Sequence, residues 1–274
     1  MIDKAKITNP HMWQLVIEIS GSHLSAMVFC PTQDNSLQRV EVALQRPGTT
    51  ARQSLEEAVY DNPGLTDDYG KVTVLWRSER FAVIPGFVTD NDLAEAILRR
   101  QFVEEKSEGD TEVLTDTLEG VDARIIYEVP AELLNFVRRT FNNPRIMHPL
   151  TPLTLWFAAK CHGRRGGKTL ACLGNGTLDL VILGQNTPLL INSFDTVEAT
   201  DAVYYTLAAR RAFALADTDE VMLAGPAAER AAVTPLLRRY VNYVMPAIFP
   251  ADMFSLGHGI MACPFEMAVA PSVL

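Results

Sequence analysis

Residues 162–169 run His162-Gly163-Arg164-Arg165-Gly166-Gly167-Lys168-Thr169 and come within one position of the phosphate-cradling pattern G-x-x-x-x-G-K-T, with His162 in place of the first glycine. That chemistry needs a strand before the loop and a helix after it, so that backbone amides and the positive helix end converge on the phosphates. The five histidines, His11, His23, His148, His162 and His258, include no i, i+4 pair, and no acidic residue stands at a metal-ligand spacing from any of them. Cys30, Cys161, Cys172 and Cys263 never form a C-x-x-C pair, which excludes a zinc knuckle or a dithiol redox motif and reads as four reduced thiols. No G-x-S-x-G elbow is present, and Gly21-Ser22-His23 has the chemistry of a turn. Glu56-Glu57 and Glu104-Glu105 read as solvated faces rather than catalytic pairs.

The elements around the basic stretch run the wrong way for a phosphate loop. A helix is predicted over 151–160 and a strand over 168–173, so the helix comes first and the segment reads as a linker. Upstream, residues 13–30 hold two β-rich runs around Ser20-Gly21-Ser22, where glycine would supply the positive φ of a tight turn, and 39–45 is a third strand. A helix over 51–60 stops at Asp61-Asn62-Pro63-Gly64, and 71–76 is a β-branched strand. A strand at 80–84, an amphipathic helix at 90–101 capped by Asp90, a strand at 122–129, a helix at 131–141 opened by Pro130 and a short strand at 145–148 follow. Residues 104–119 carry seven acidic side chains and few large apolar ones, so an exposed or partly disordered loop is expected there.

The second half repeats the order. Strands at 168–173, 177–183 and 188–194 are joined by Gly174-Asn175-Gly176 and Gly184-Gln185-Asn186, both hairpin signals, and helices at 197–215 and 227–243 flank a strand at 220–224. Three strands, helix, strand, helix thus occurs twice, which implies two related lobes, 1–165 and 166–274. Beyond Asp252 the tail holds one acidic residue, Glu266, and no Lys or Arg. It either folds back as a strand, through alternating Met261, Cys263 and Phe265, and a helix, or offers a surface to another protein.

A formal charge of -9 on 274 residues gives no footprint for phosphate backbones or anionic lipid, so neither nucleic acid nor a membrane surface is an expected partner. No apolar run approaches the ~18 residues of a membrane span, and the N-terminus lacks a signal peptide's h-region, so a cytoplasmic location is expected.

The duplicated plan resembles the actin, sugar kinase and heat-shock chaperone ATPase superfamily, which implies a two-lobed actin-like (ribonuclease H-like) α/β fold, each lobe a mixed sheet with helices on both faces. Ile17-Glu18-Ile19-Ser20-Gly21-Ser22 resembles the first-lobe phosphate hairpin, I-D-x-G-T/S. Residues from Cys172 through Gly174-Asn175-Gly176-Thr177 and Asp179 to Leu183 resemble the second, D-L-G-G-G-T-F-D-V-x-I-L. Val221 to Gly225-Pro226 resembles the adenosine element. At finer grain Glu128-Val129-Pro130, a helix, and His148 ahead of a second helix resemble a bacterial domain family of unknown function.

The resemblance implies a nucleotide cleft lined by Glu18, Ser20, Gly21, Ser22, Gly174, Asn175, Gly176, Thr177 and Gly225. It also implies an aspartate on each hairpin to hold magnesium. Here one is Glu18, a methylene longer, and the other is Cys172, a poor partner for a hard cation, while Pro226 removes an amide donor. Asp179, on the far strand, is expected to be structural. The reading is a non-catalytic scaffold or adaptor with a degenerate nucleotide site, no catalytic residue, metal or cofactor, and a protein partner or self-association. The alternative is an ATPase or phosphotransferase using ATP and magnesium, rebuilt around Glu18 and Asp179.

Overall fold

A computed structural model describes residues 2–45, 48–102, 109–162, 167–184 and 187–273. Strands β1 (Gln14–Ile19), β2 (His23–Phe29) and β3 (Gln38–Ala43) form an antiparallel meander. Helix α1 (Ala51–Tyr60) then crosses over to β4 (Lys71–Trp76), which pairs parallel to β1. Its start is fixed by a reciprocal cap, in which Gln53 N–H donates to Thr50 Oγ1 at 3.2 Å and Thr50 N–H to Gln53 Oε1 at 3.0 Å.

After β4 comes an insertion of β5 (Phe81–Pro85), α2 (Asn91–Gln101), β6 (Thr111–Leu118), β7 (Ala123–Pro130) and α3 (Ala131–Thr140). Its strands form a separate sheet ordered β5-β7-β6. Strand β8 (Arg145–Met147) then returns to the edge of the first sheet, and α4 (Leu150–Cys161) follows.

The second lobe repeats the scheme with β9 (Lys168–Gly174), β10 (Thr177–Leu183), β11 (Pro188–Asp195), α5 (Ala199–Ala212), β12 (Val221–Ala224), α6 (Ala227–Leu237) and β13 (Val244–Pro246). The sheet orders β3-β2-β1-β4-β8 and β11-β10-β9-β12-β13 are the same scheme twice: an antiparallel three-strand opening extended by two parallel strands. The predicted duplication is therefore present.

Three expectations need correction. Residues 111–118 are a strand, not a loop, paired with β7 along their whole length. Their acidic residues have partners that composition does not reveal: Glu112 Oε2 accepts from Arg138 at 2.9 Å, and Asp116 Oδ2 accepts from the His148 N–H at 2.7 Å. Residues 104–108 lie outside the described residues, as do Gln185 and Asn186 of the second hairpin signal. The helix expected over 227–243 stops at Leu237, because the chain turns to set β13 beside β12, and a three-residue strand with one buried side chain carries no periodic signal.

The third correction is the Ser20-Gly21-Ser22 turn, where Gly21 has no positive φ. The Ser20 side chain closes that turn instead: its Oγ accepts from Ser22 N–H at 3.3 Å and His23 N–H at 3.1 Å. At β9–β10, by contrast, Asn175 (φ 52°) and Gly176 (φ 75°) both adopt the left-handed geometry of a two-residue hairpin.

The tail contains no strand. It forms α7 (Ala251–Ser255), a short 3-10 turn and α8 (Phe265–Val273), so the alternation of Met261, Cys263 and Phe265 is not a β pattern. Helix α8 packs on α4 and β1, burying Phe265, Met267, Ala268, Val269 and Ala270 in the larger core. Phe265 meets Trp156 edge-on at 5.0 Å between centroids and Phe249 at 5.1 Å. Burial, one of the two alternatives for the tail, is the outcome for this helix.

Candidate functional site

Glu18 is the penultimate residue of β1 and is fully buried, with its backbone in register with Leu75 of β4. Arg77 follows β4 by one residue, and its N–H donates to Ile19 O at 2.9 Å, which aims the side chain toward the other lobe. There Asp179 of β10 stands opposite Cys172 of β9. Glu18 and Asp179 meet on one guanidinium. Arg77 Nε–H donates to Glu18 Oε1 at 2.7 Å, and Nη1 to Asp179 Oδ1 and Oδ2 at 3.1 and 3.0 Å. Nη2 donates to Glu266 Oε1 of α8 at 2.8 Å.

The Arg77 side chain is 13% exposed and its three partners 0, 3 and 9%. Burial alone would disfavour the Arg77 charge, but Asp179, Glu18 and Glu266 more than compensate and hold the guanidinium firmly protonated. Three carboxylates cannot all be matched by one cation. Burial, reinforced by Glu18, raises the Glu266 pKa to about 8. The Cys172 thiol, 3.7 Å from Glu266 Oε2, is driven far up, by burial first and then by Glu266 and Asp179. Glu18 Oε2 is buried without a hydrogen-bond partner, and Ser193 Oγ donates to Asp179 Oδ1 at 2.7 Å.

A second layer fixes the chain at Arg77. Ser78 Oγ donates to Glu128 O at 2.7 Å, and the Ser78 carbonyl accepts from His148 Nε2 at 3.1 Å. His148 is packed against Phe81 and Tyr127, and burial lowers its pKa to about 4, so it works as a neutral donor. Glu128 and His148, one from each of these sequence features, thus both hold the connector that carries Arg77.

The two hairpin tips meet directly. Asn175 Nδ2 donates to His23 Nε2 at 2.8 Å across the lobes. On one side of this bridge a cavity of about 470 Å³ is lined by Ser20, Gly21, Ser22, Gly176, Thr177 and the exposed edge of Arg77. On the other, one of about 410 Å³ is lined by Gly174, Asn175, Pro226 and Glu266.

Gly225 has φ 108°, and a Cβ there would stand 2.1 Å from Leu173 O, so this glycine serves the close passage of the β12–α6 turn over β9. Gly225→Ala is expected to cost roughly 2–4 kcal/mol in a thermal melt, from strain plus displacement of β9. Gly21→Ala, with open space around the new Cβ, should leave the melt unchanged.

Sequence reasoning missed Arg77 and Glu266 as members of the site. The available signals were a charge placed directly after a buried strand and a lone acid in an apolar tail. Of the phosphate-loop-like stretch, residues 163–166 lie outside the described residues, and Lys168 pairs with Glu220 at 3.5 Å. Among the described residues no three His, Cys, Asp or Glu side chains are arranged to hold a metal, and no helix is long and apolar enough to cross a membrane.

Residues 3–244 match the family model described as protein of unknown function, DUF3822. The chain belongs to the DUF3822 family. In this DUF3822 chain the match spans Glu18, Arg77, Cys172 and Asp179, while Glu266 and α8 lie past its end. A search of curated proteins by sequence gives no match.

Among solved structures, the chain is similar to a protein of unknown function with an actin-like ATPase fold from Bacteroides thetaiotaomicron. The TM-score is 0.75 at 21% identity, covering 96% of this chain and 99% of that one. It is also similar to a chain in a PilM–PilN type IV pilus biogenesis complex, with TM-score 0.56, 14% identity, and 95 and 97% coverage. The fold is therefore the actin-like ATPase fold, two mixed sheets with helices.

Proposed function

We propose that this protein is a non-catalytic scaffold or adaptor on the actin-like fold, acting in the cytoplasm, with an interlobe cleft that no longer serves a magnesium nucleotide. The observation that carries this reading is the Arg77 guanidinium held by Glu18, Asp179 and Glu266 between the hairpins. The residues present do not fit a hydrated magnesium ion beside phosphates. Glu18 and Asp179 are committed to a fixed cation, and the residue at the second aspartate position is a buried neutral thiol. Pro226 offers no amide to a ligand.

A protein partner or self-association is supported by the exposed side chains of Tyr240, Tyr243, Met245 and Ile248 around the edge strand β13. The similar PilM chain is found in a complex with PilN, and this supports the adaptor reading by analogy of fold. Affinity purification from the native host, read by mass spectrometry, should recover a stoichiometric partner or a defined homo-oligomer. A monomer that hydrolyses ATP when purified would contradict the proposal.

A further inference from the structure

The Arg77 cluster draws on more than the two lobes. Glu18 comes from β1 of the first sheet, Asp179 from β10 of the second and Glu266 from the first turn of the tail helix α8, so one side chain joins three elements far apart in sequence. If all three acids were ionised, the single cation would leave a buried net charge of about -2, a costly state in a medium of low dielectric. Glu18 Oε2 adds a buried oxygen without a hydrogen-bond partner to the same space.

We propose that Glu266 is a proton-controlled clasp: while its carboxyl is neutral it holds α8 on the guanidinium that joins the lobes, and its ionisation releases the tail and loosens the lobes together.

Among the described residues, the groups that face Glu266 are Glu18 on β1, Arg77 after β4, Cys172 on β9 and Asp179 on β10, with Arg39 and Glu41 of β3 and Cys263 lining the cavity beside it. Of the neighbouring cations, Arg39 is turned to the carbonyl of Ala262 and paired with Glu41 at 3.6 Å, and on α4 Lys160 lies over the Trp156 ring at 5.8 Å. Arg77 is therefore the cation bonded to Glu266 among the described residues, and it is shared with two other acids. Glu266 is raised from the ordinary carboxylate value to about 8. Between those values the unfolded chain carries this charge and the folded one does not, so the folded state loses stability as pH rises through the window and levels off above it. Release of the clasp falls at the upper end of that window. The inference goes beyond the scaffold reading and does not depend on it.

Amide hydrogen exchange measured from pH 6 to 9, corrected for the intrinsic rate, tests it on the full chain. Wild-type protein should lose protection in residues 265–273 at least about tenfold between pH 7 and 9, the scale on which local opening is read. Peptides covering the two hairpins should lose protection with the same midpoint. Glu266→Gln should keep the helix protected throughout, and Phe265→Leu, which loosens packing alone, should lower protection at every pH while keeping the pH step. A flat wild-type profile, hairpins that stay protected when α8 opens, or a pH step that survives in Glu266→Gln would each overturn the proposal.

Discussion

Replacing Arg77 by methionine is expected to destabilise the fold by about 3–5 kcal/mol, the scale seen when one member of a buried ion cluster is removed and its partners are left uncompensated. In a chain of this size that corresponds to a fall in Tm of roughly 10 °C. The cause is electrostatic rather than steric, because methionine fills much of the same space while Glu18 and Asp179 remain buried beside each other's lobe. Adding Glu18→Gln and Asp179→Asn to Arg77→Met should therefore recover much of the loss. Arg77→Lys should fall in between, since an ammonium cannot reproduce a fork that reaches three carboxyl groups at 2.7–3.0 Å. A single Arg77→Met protein with wild-type melting would remove the guanidinium from its role as keystone.

The second large effect concerns the tail. Phe265 sits between Trp156 and Phe249, and residues 265–270 of α8 are buried, the helix packing on α4 and β1. Phe265→Ala should cost about 3–5 kcal/mol by loss of transfer energy and the cavity left behind. Truncation before Ser255 removes Phe265, Met267 and Val269 together, each contributing roughly 1.5–3 kcal/mol, and should leave a chain that does not melt cooperatively. Unchanged melting after truncation would instead mark these residues as a docking segment.

The contrast between what the sequence disclosed and what it hid follows from the range of the forces involved. Turn and cap chemistry is local, so the Asn175-Gly176 hairpin, the cap at Asp90 and the bounds of α1 could all be read directly from residue types. The duplication was legible because it repeats local patterns. Strand β6 was hidden because its acidic residues are bonded by Arg138, Thr151 and the His148 amide, groups distant in sequence.

The candidate cleft was half legible. Glu18 and Cys172 stand out as departures from the family hairpins, and the structural role expected of Asp179 takes the form of bonds to Arg77 and Ser193. Arg77 and Glu266 are separated by 189 residues, and no spacing rule links a residue after an inner strand to the last helix.

Under the proposed function, a fixed guanidinium and a neutral thiol occupy the place where a working actin-like site would hold magnesium and phosphate. A charge-assisted hydrogen bond contributes about 1.5–3 kcal/mol, so the loss of one aspartate alone weakens binding by roughly 10 to 150-fold. With Glu18 and Asp179 committed to Arg77, affinity should fall to the millimolar range. Isothermal titration calorimetry with ATP and magnesium is the direct measurement. The account predicts no resolvable heat at micromolar protein, while a magnesium-dependent Kd below about 10 μM that is abolished by Glu18→Ala would contradict it.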